Sequence, residues 1–426
     1  MSYLALSIAD QGFSVGGMFA ANVALARVAG REEYGTFALA YSFLNFLAGL
    51  HNAAIIEPYT VHGAGRYKFF SPEYRWLIWR NNGWLGLALT ALLLIVWRVV
   101  LLTRYASASG AMLGLALSSA VILTSYLLRR ILYVERKVRL AARMSSVFFL
   151  SLCICLAAGA SAKALSAFSV FLLVGLTSVV GALVILREVP RPSSIEPFMR
   201  AQPHHWQEHW KYARWVLATA FVFQFANQAY YWLVAGLLSL KEVAALRAIA
   251  MIVMIVDQVF TAITSLVLPA MAARYGSRQI AELLSLWKVY LVAFLIVGGA
   301  FFGGILLIGK PTMHWIYGGK FDDVSTLLIP LGLLPLLMGV GHTMNAALKA
   351  VEKPSLVFYA YLASGATTLA AGIPLMTHLG LRGAVYGMLA SAGAYTITLG
   401  IGFLRNVLRL HVPLPTSRQP EAIVSS

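Results

Sequence analysis

Twelve apolar runs, each about long enough to cross the roughly 30 Å hydrocarbon core of a bilayer, dominate this sequence. They occupy approximately 4–28, 36–61, 83–102, 108–133, 140–162, 165–186, 212–239, 244–271, 282–309, 325–350, 354–378 and 383–406. Lipid offers the main chain no hydrogen bonds, so segments this long satisfy their own N–H and C=O groups as helices. Composition agrees. With 60% hydrophobic and only 12% charged residues, a soluble chain could not cover its apolar surface. The mean hydropathy is +0.76. The first run is too long, and with Asp10 and Gln11 too polar, for a cleavable signal, and is expected to remain as a span.

The longest polar gap, 187–211, divides the runs six and six. Of the 33 Lys and Arg residues, 23 fall on the side of the N-terminus and 10 on the other, which places both termini in the cytoplasm. The net charge of +17 is thus spent on topology, and no nucleic-acid partner is expected. The halves also resemble each other. Arg31-Glu32 falls on Lys241-Glu242, Val134-Glu135-Arg136 on Val351-Glu352-Lys353, and Pro58 and Pro269 both lie near span ends. These features predict an all-α polytopic membrane protein, with twelve transmembrane helices in two pseudo-symmetric six-helix lobes around a central cavity. The expected parts are an N-terminal lobe (1–186), a cytoplasmic linker with an interfacial helix (187–211), a C-terminal lobe (212–406) and a cytoplasmic tail (407–426).

Several motifs fail on inspection. GILLIGKP (304–311) has the glycine and lysine spacing of a phosphate loop, but Pro311 stands where magnesium needs Ser or Thr. HHWQEHW (204–210) sets His205 and His209 one turn apart without a third metal ligand nearby, so an interfacial helix anchored by tryptophans is the simpler reading. Cys153 and Cys155 are small packing residues, neither a disulfide framework nor a metal motif. No nucleophile–base pair or soluble catalytic loop is visible, so no enzyme activity and no cofactor is expected.

Polar residues inside spans are costly and usually face a bundle interior or a water-filled cavity. Gln224, Asn227, Gln228 and Tyr231 form one face of span seven. Span eight carries Arg247 and Gln258 on one face with Asp257 beside it, and span one carries Asp10. Span two shows Tyr41, Asn45, Asn52 and Tyr59, and span ten His342 and Asn345. Helix–helix adhesion explains any one of these amides equally well. Their recurrence in spans one, two, seven and eight, equivalent positions of the two repeats, favours a cavity lining. Asp10 and Asp257 are candidates for coupling to an Na+ or H+ gradient. Glu57, beside Pro58, lies at the cytoplasmic end of span two as a gate candidate, with Arg66 or Lys68 as partner. Arg27 and Arg247 lie near outer span ends. They read as snorkelling arginines or as fixed cations for a crossing phosphate.

LARVAGREEYGTFALA (25–40), VLPAMAARYG (267–276), YGGKF (317–321), ALKAVEKP (347–354) and GLRGAVYG (380–387) together resemble the polysaccharide-transporter branch of the MOP exporter superfamily, the Wzx-type lipid-linked oligosaccharide flippases. The resemblance implies alternating access that moves an undecaprenyl-diphosphate-linked glycan from the inner to the outer leaflet of a bacterial inner membrane. It implies a lipid-linked glycan substrate, membrane lipids, and polymerase and glycosyltransferase partners. Cationic cavity residues would receive the diphosphate, by position Arg27 and Arg247. AALRA (244–248) departs from the family's usual Gly-plus-aromatic after the second-half acidic residue, so Arg247 rests on position alone. A drug/cation antiporter of the same superfamily is the main rival, ahead of a lipid II flippase or a membrane glycosyltransferase.

Overall fold

A computed structural model describes residues 3–64, 71–185, 188 and 196–408. Every regular element among them is helical. Span one is α1 (Tyr3–Val28); span two is α2 (Arg31–His51), a π-turn (Asn52–Ile56) and α3 (Glu57–Ala64). Spans three to six are α4 (Ser71–Leu101), α5 (Ser109–Val134), α6 (Val138–Ser161) and α7 (Ala167–Leu183). Spans seven to nine are α8 (Glu196–Leu237), α9 (Leu240–Gly276) and α10 (Ile280–Tyr317). α11 (Leu328–Gly332) and α12 (Leu334–Ala350) make span ten, α13 (Pro354–Thr367) and α14 (Ile373–Leu379) span eleven, and α15 (Leu381–Asn406) span twelve. The twelve expected spans are all present. The second part of the linker is not a separate helix, because 196–211 runs unbroken into span seven. Residues 189–195 of the linker and 409–426 of the tail lie outside the described residues, as do Arg66 and Lys68.

The helices group into two compact units. Unit 1 comprises Met1–Met251 with Pro311–Val324, and unit 2 comprises Ile252–Lys310 with Ser325–Ser426. In unit 1, α1 packs on α6, α5 on α4 and α7, and α2 on α8. A Cβ on Gly35 would collide with the Leu240 carbonyl, so the start of α9 rests directly on α2. α7 begins with a Ser166/Ser169 capping box, and Glu33 accepts from the Ala167 N–H at 2.6 Å, a carboxylate at a helix N-terminus. Unit 2 is built around an aromatic core in which Phe260 stacks on Phe294 with ring centres 4.1 Å apart and Trp287 lies 4.4 Å from Phe403.

The repeat is visible in the helix joints. α5 ends at Val134, Arg136 takes a left-handed φ of 59°, and the Lys137 N–H returns to the Leu132 carbonyl. α12 ends at Ala350, Glu352 has φ 60°, and the Lys353 N–H returns to the Leu348 carbonyl. Both are the same left-handed helix stop. Aligned on this stop, Arg136 stands opposite Glu352, one residue from the register of the VER and VEK letters. Lys163 and Arg278 repeat the joint at φ 53° and 58°.

A left-handed φ costs a non-glycine residue about 1–2 kcal/mol, partly offset by glycine's larger loss of chain entropy. Glu352 is exposed. Glu352→Gly is expected to leave thermal stability unchanged or raise it by up to about 1 kcal/mol, whereas Glu352→Val lowers it. Unfolding of the detergent-solubilised protein measures both.

Candidate functional site

Arg247, on α9, is only 3% exposed. A buried guanidinium needs its charge and its N–H groups answered locally. Its carbon sits 4.4 Å from the centre of the Tyr41 ring and 5.9 Å from that of Tyr231. Its Nε donates to Asn22 Oδ1 at 3.1 Å, and Tyr34 points its hydroxyl at the same oxygen, 3.5 Å away. The Asn22 amide is oriented by donating its Nδ2–H to the Met18 carbonyl at 2.8 Å, which leaves the oxygen facing Arg247. Tyr317 donates to the Ala248 carbonyl at 2.9 Å and so fixes the adjoining turn of α9. Aromatic faces and an amide oxygen hold a cation by π-electrons and a dipole, an arrangement that keeps its charge available to an anion. Arg27 is not part of this cluster. Its Nε donates to the Ile316 carbonyl at 2.6 Å and a second nitrogen to Trp315, at the C-terminus of α10.

The amides of spans two and seven meet at one interface. Gln224 lies against Gly49, and Trp232, between Phe43 and Phe46, donates to Ser42 Oγ at 2.9 Å. Asn45 and Asn52 are half-buried. Asn227 is exposed and bonds to its own helix, while Gln228 Oε1 is buried without a partner among the described residues. In unit 2, Gln258 is exposed and Asp257 and His342 are half-buried. Asn345 is packed away, donating to Tyr395 at 2.8 Å.

Asp10 is completely buried. It accepts from Arg129 Nη2 at 2.7 Å, Tyr133 at 2.7 Å and Ser145 at 2.6 Å, and Arg129 also donates to Ser14 at 2.6 Å. Arg129 stands inside an apolar run, one turn before Tyr133, and that is the signal in the sequence that it belongs to a buried pair. Glu57 accepts from the Tyr212 hydroxyl at 3.3 Å.

The π-turn in span two has a plain origin. Pro58 lacks the N–H that would bond the Ala54 carbonyl. His209 supplies it, with Nε2 donating to Ala54 O at 2.8 Å, while Nδ1 accepts from the Tyr74 hydroxyl at 2.9 Å. Trp206 stacks on the imidazole at 4.8 Å. This bonding, one nitrogen donating and the other accepting, requires the neutral ring. Both ring nitrogens are engaged and none is left for a metal; the His205 side chain lies outside the described residues. The extra residue of the π-turn also explains Tyr59, which leaves the stripe of Tyr41, Asn45 and Asn52. It is buried in a stack on Tyr74, ring centres 5.8 Å apart. His51 likewise turns to packing, 2.6 Å from Asn82 Oδ1.

Compared with known structures, the chain has the fold of MOP-superfamily transporters. It matches an inward-facing multidrug-resistance MATE transporter at TM-score 0.71 and 14% identity, covering 95% of this chain and 98% of that one. It matches the lipid II flippase MurJ, inward closed, at TM-score 0.71 and 14% identity, over 96% and 90%. A MOP transporter from Pyrococcus furiosus Vc1 (DSM3638), titled for the reverse polarity of its binding pocket, matches at 0.63 and 14%, over 96% and 95%. A comparison with curated sequences gives no match. The family model described as polysaccharide biosynthesis protein matches residues 24–325, and the chain belongs to that family. Nine helices among the described residues are long and apolar enough to cross a membrane, as expected of a multi-pass membrane protein.

His209→Ala, which orphans the Ala54 carbonyl and the Tyr74 hydroxyl and opens a void, is expected to destabilise the protein by about 2–4 kcal/mol. A metal chelator is expected to leave the wild-type melting temperature unchanged. Arg129→Met alone strands a buried carboxylate and is expected to cost about 3–5 kcal/mol, much of which the double variant Asp10→Leu/Arg129→Met recovers. Thermal unfolding of the purified variants checks both.

Proposed function

We propose that this transporter moves an undecaprenyl-diphosphate-linked oligosaccharide from the inner to the outer leaflet of a bacterial inner membrane by alternating access, for surface polysaccharide synthesis. The observation that carries the reading is the buried Arg247 guanidinium, held by tyrosines and an asparagine on the spans of a polysaccharide-biosynthesis transporter. A diphosphate-sugar head cannot enter hydrocarbon without losing its hydration, while its polyprenyl tail is at home there. A fixed guanidinium with amide-bearing spans nearby substitutes for that lost water and forks onto phosphate oxygens. Asn45, Asn52, Gln224, Asn227 and Gln228 supply the polar faces in unit 1, and Gln258 and His342 those in unit 2, while Asn345 serves packing through Tyr395. Arg27 is a second phosphate cation in this reading, once released from the α10 carbonyls.

Asp257, Glu57 and Asp10 are the candidates for ion coupling in this reading, Asp10 with Arg129 as its standing partner. An Na+ or H+ gradient, or consumption of the glycan by a polymerase outside, would drive the cycle; glycosyltransferases inside supply the substrate.

Deletion of the gene is expected to strand lipid-linked glycan on the cytoplasmic leaflet, and normal surface glycan in a strain without a paralogue would overturn the reading. Arg247→Ala and Arg27→Ala should each lower flipping in proteoliposomes by roughly 10- to 100-fold at unchanged protein levels, with Arg247→Lys only partly active. Wild-type rates in both alanine variants would remove the phosphate assignment.

A further inference from the structure

Residues 311–324 join span nine to span ten on the side opposite the termini, yet they belong to unit 1. The contact that holds them there is reciprocal. Arg27, at the C-terminal end of α1, donates to the Trp315 and Ile316 carbonyls that end α10. Lys320, just past the end of α10, donates to the Arg27 and Ala29 carbonyls that end α1, at 2.8 and 2.7 Å. Each helix C-terminus thus receives a cation from the other, where its dipole and unpaired carbonyls favour one.

Arg31 closes the arrangement. Its Nε donates to the Lys320 carbonyl at 2.9 Å, and its two terminal nitrogens fork onto both oxygens of Asp323. The turn that permits this is the YGGKF stretch. Gly318 and Gly319 adopt φ of 62° and 81°, which swings Lys320 and Phe321 back onto α1 and α2. Phe321 is fully buried, edge-on to Tyr34 with ring centres 5.9 Å apart, beneath the Arg31 guanidinium at 5.1 Å. The Lys320 pKa is lowered, by burial and then by Arg31.

This contact is built to open. The Arg31–Asp323 pair is exposed, with side chains 33% and 55% accessible, and water and salt compete with it. Every other acceptor in it is a main-chain carbonyl at a helix end, which water satisfies equally when the cation leaves. A permanent joint of comparable extent would bury its ion pair, as Asp10 and Arg129 do in the same unit. Beneath the contact, Tyr34 and Tyr317 lead directly to Asn22 and to the α9 turn that carries Arg247.

We propose that residues 311–324 are a latch that shuts the outer end of unit 1, held by Arg31–Asp323 and the exchanged helix caps of Arg27 and Lys320, and released once in each transport cycle. The latch rests on the alternating-access reading above, and the test separates the two. Ala38 is 1% exposed and lies seven residues along α2 from Arg31, on the same helical face. In a Cys153→Ala/Cys155→Ala background, Ala38→Cys reports the latch through its labelling by a membrane-impermeant maleimide added to intact cells. Arg31→Asp or Asp323→Arg, each placing like charges together, should speed labelling roughly tenfold. The swapped pair Arg31→Asp/Asp323→Arg should return it toward the parent rate. Equal labelling in all four proteins, or fast labelling that the swap does not reverse, overturns the latch. Labelling that follows the swap in a protein that moves no lipid-linked glycan keeps the latch and overturns the transport reading.

Discussion

In hydrocarbon a carbonyl without a donor has no water to turn to, and this constraint organises the structure more than any single side-chain pair. Pro58 removes one N–H from span two, and an imidazole from the linker end of span seven replaces it. Outside the hydrocarbon, where water can also serve, the ends of α1 and α10 exchange the cations of Arg27 and Lys320 to cover their open carbonyls. α7 begins with open N–H groups, and Glu33 is sent from α2 to meet one. Several ionisable residues therefore serve first as main-chain donors and acceptors. Arg247 is set among aromatic rings and a side-chain amide instead.

That division separates the arginines by role. Arg129 is consumed in a buried pair with Asp10, Arg27 and Arg31 by helix ends and a carboxylate, and Arg247 by rings that leave its charge intact. The proposed substrate needs a cation that can change partners, and the tyrosine-lined arginine is the best placed for that.

The helices of the twelve spans and their rough limits were legible in the sequence because apolar length is a local quantity. The missing N–H at Pro58 was legible too, and it predicts a bend at Ala54. What could not be read was the remedy, since His209 lies 155 positions away and stands in a motif that spacing makes look like metal ligands. The partner of Arg129 could not be read for a related reason. A charge close to a span end counts equally well as loop or as helix until its partner is known, and Asp10 is 119 residues distant. The family letters of YGGKF were visible, but their use depends on two left-handed glycines and on a docking surface formed by α1 and α2.

The π-turn makes span two a helix with one residue more than its α-helical geometry accommodates. One residue of an α-helix corresponds to about 100° of rotation, so Tyr59 and everything beyond it is turned relative to the Asn45 stripe. Substitutions along this span are graded in effect, each confined to its own contacts. Deleting a single residue between Asn52 and Ile56 would instead remove that surplus and return the segment to plain α-helix, with Tyr59 kept in its stack on Tyr74. Deleting one elsewhere in the span would re-phase everything beyond it. Span two should therefore tolerate the loss of a residue at the π-turn better than anywhere else along its length.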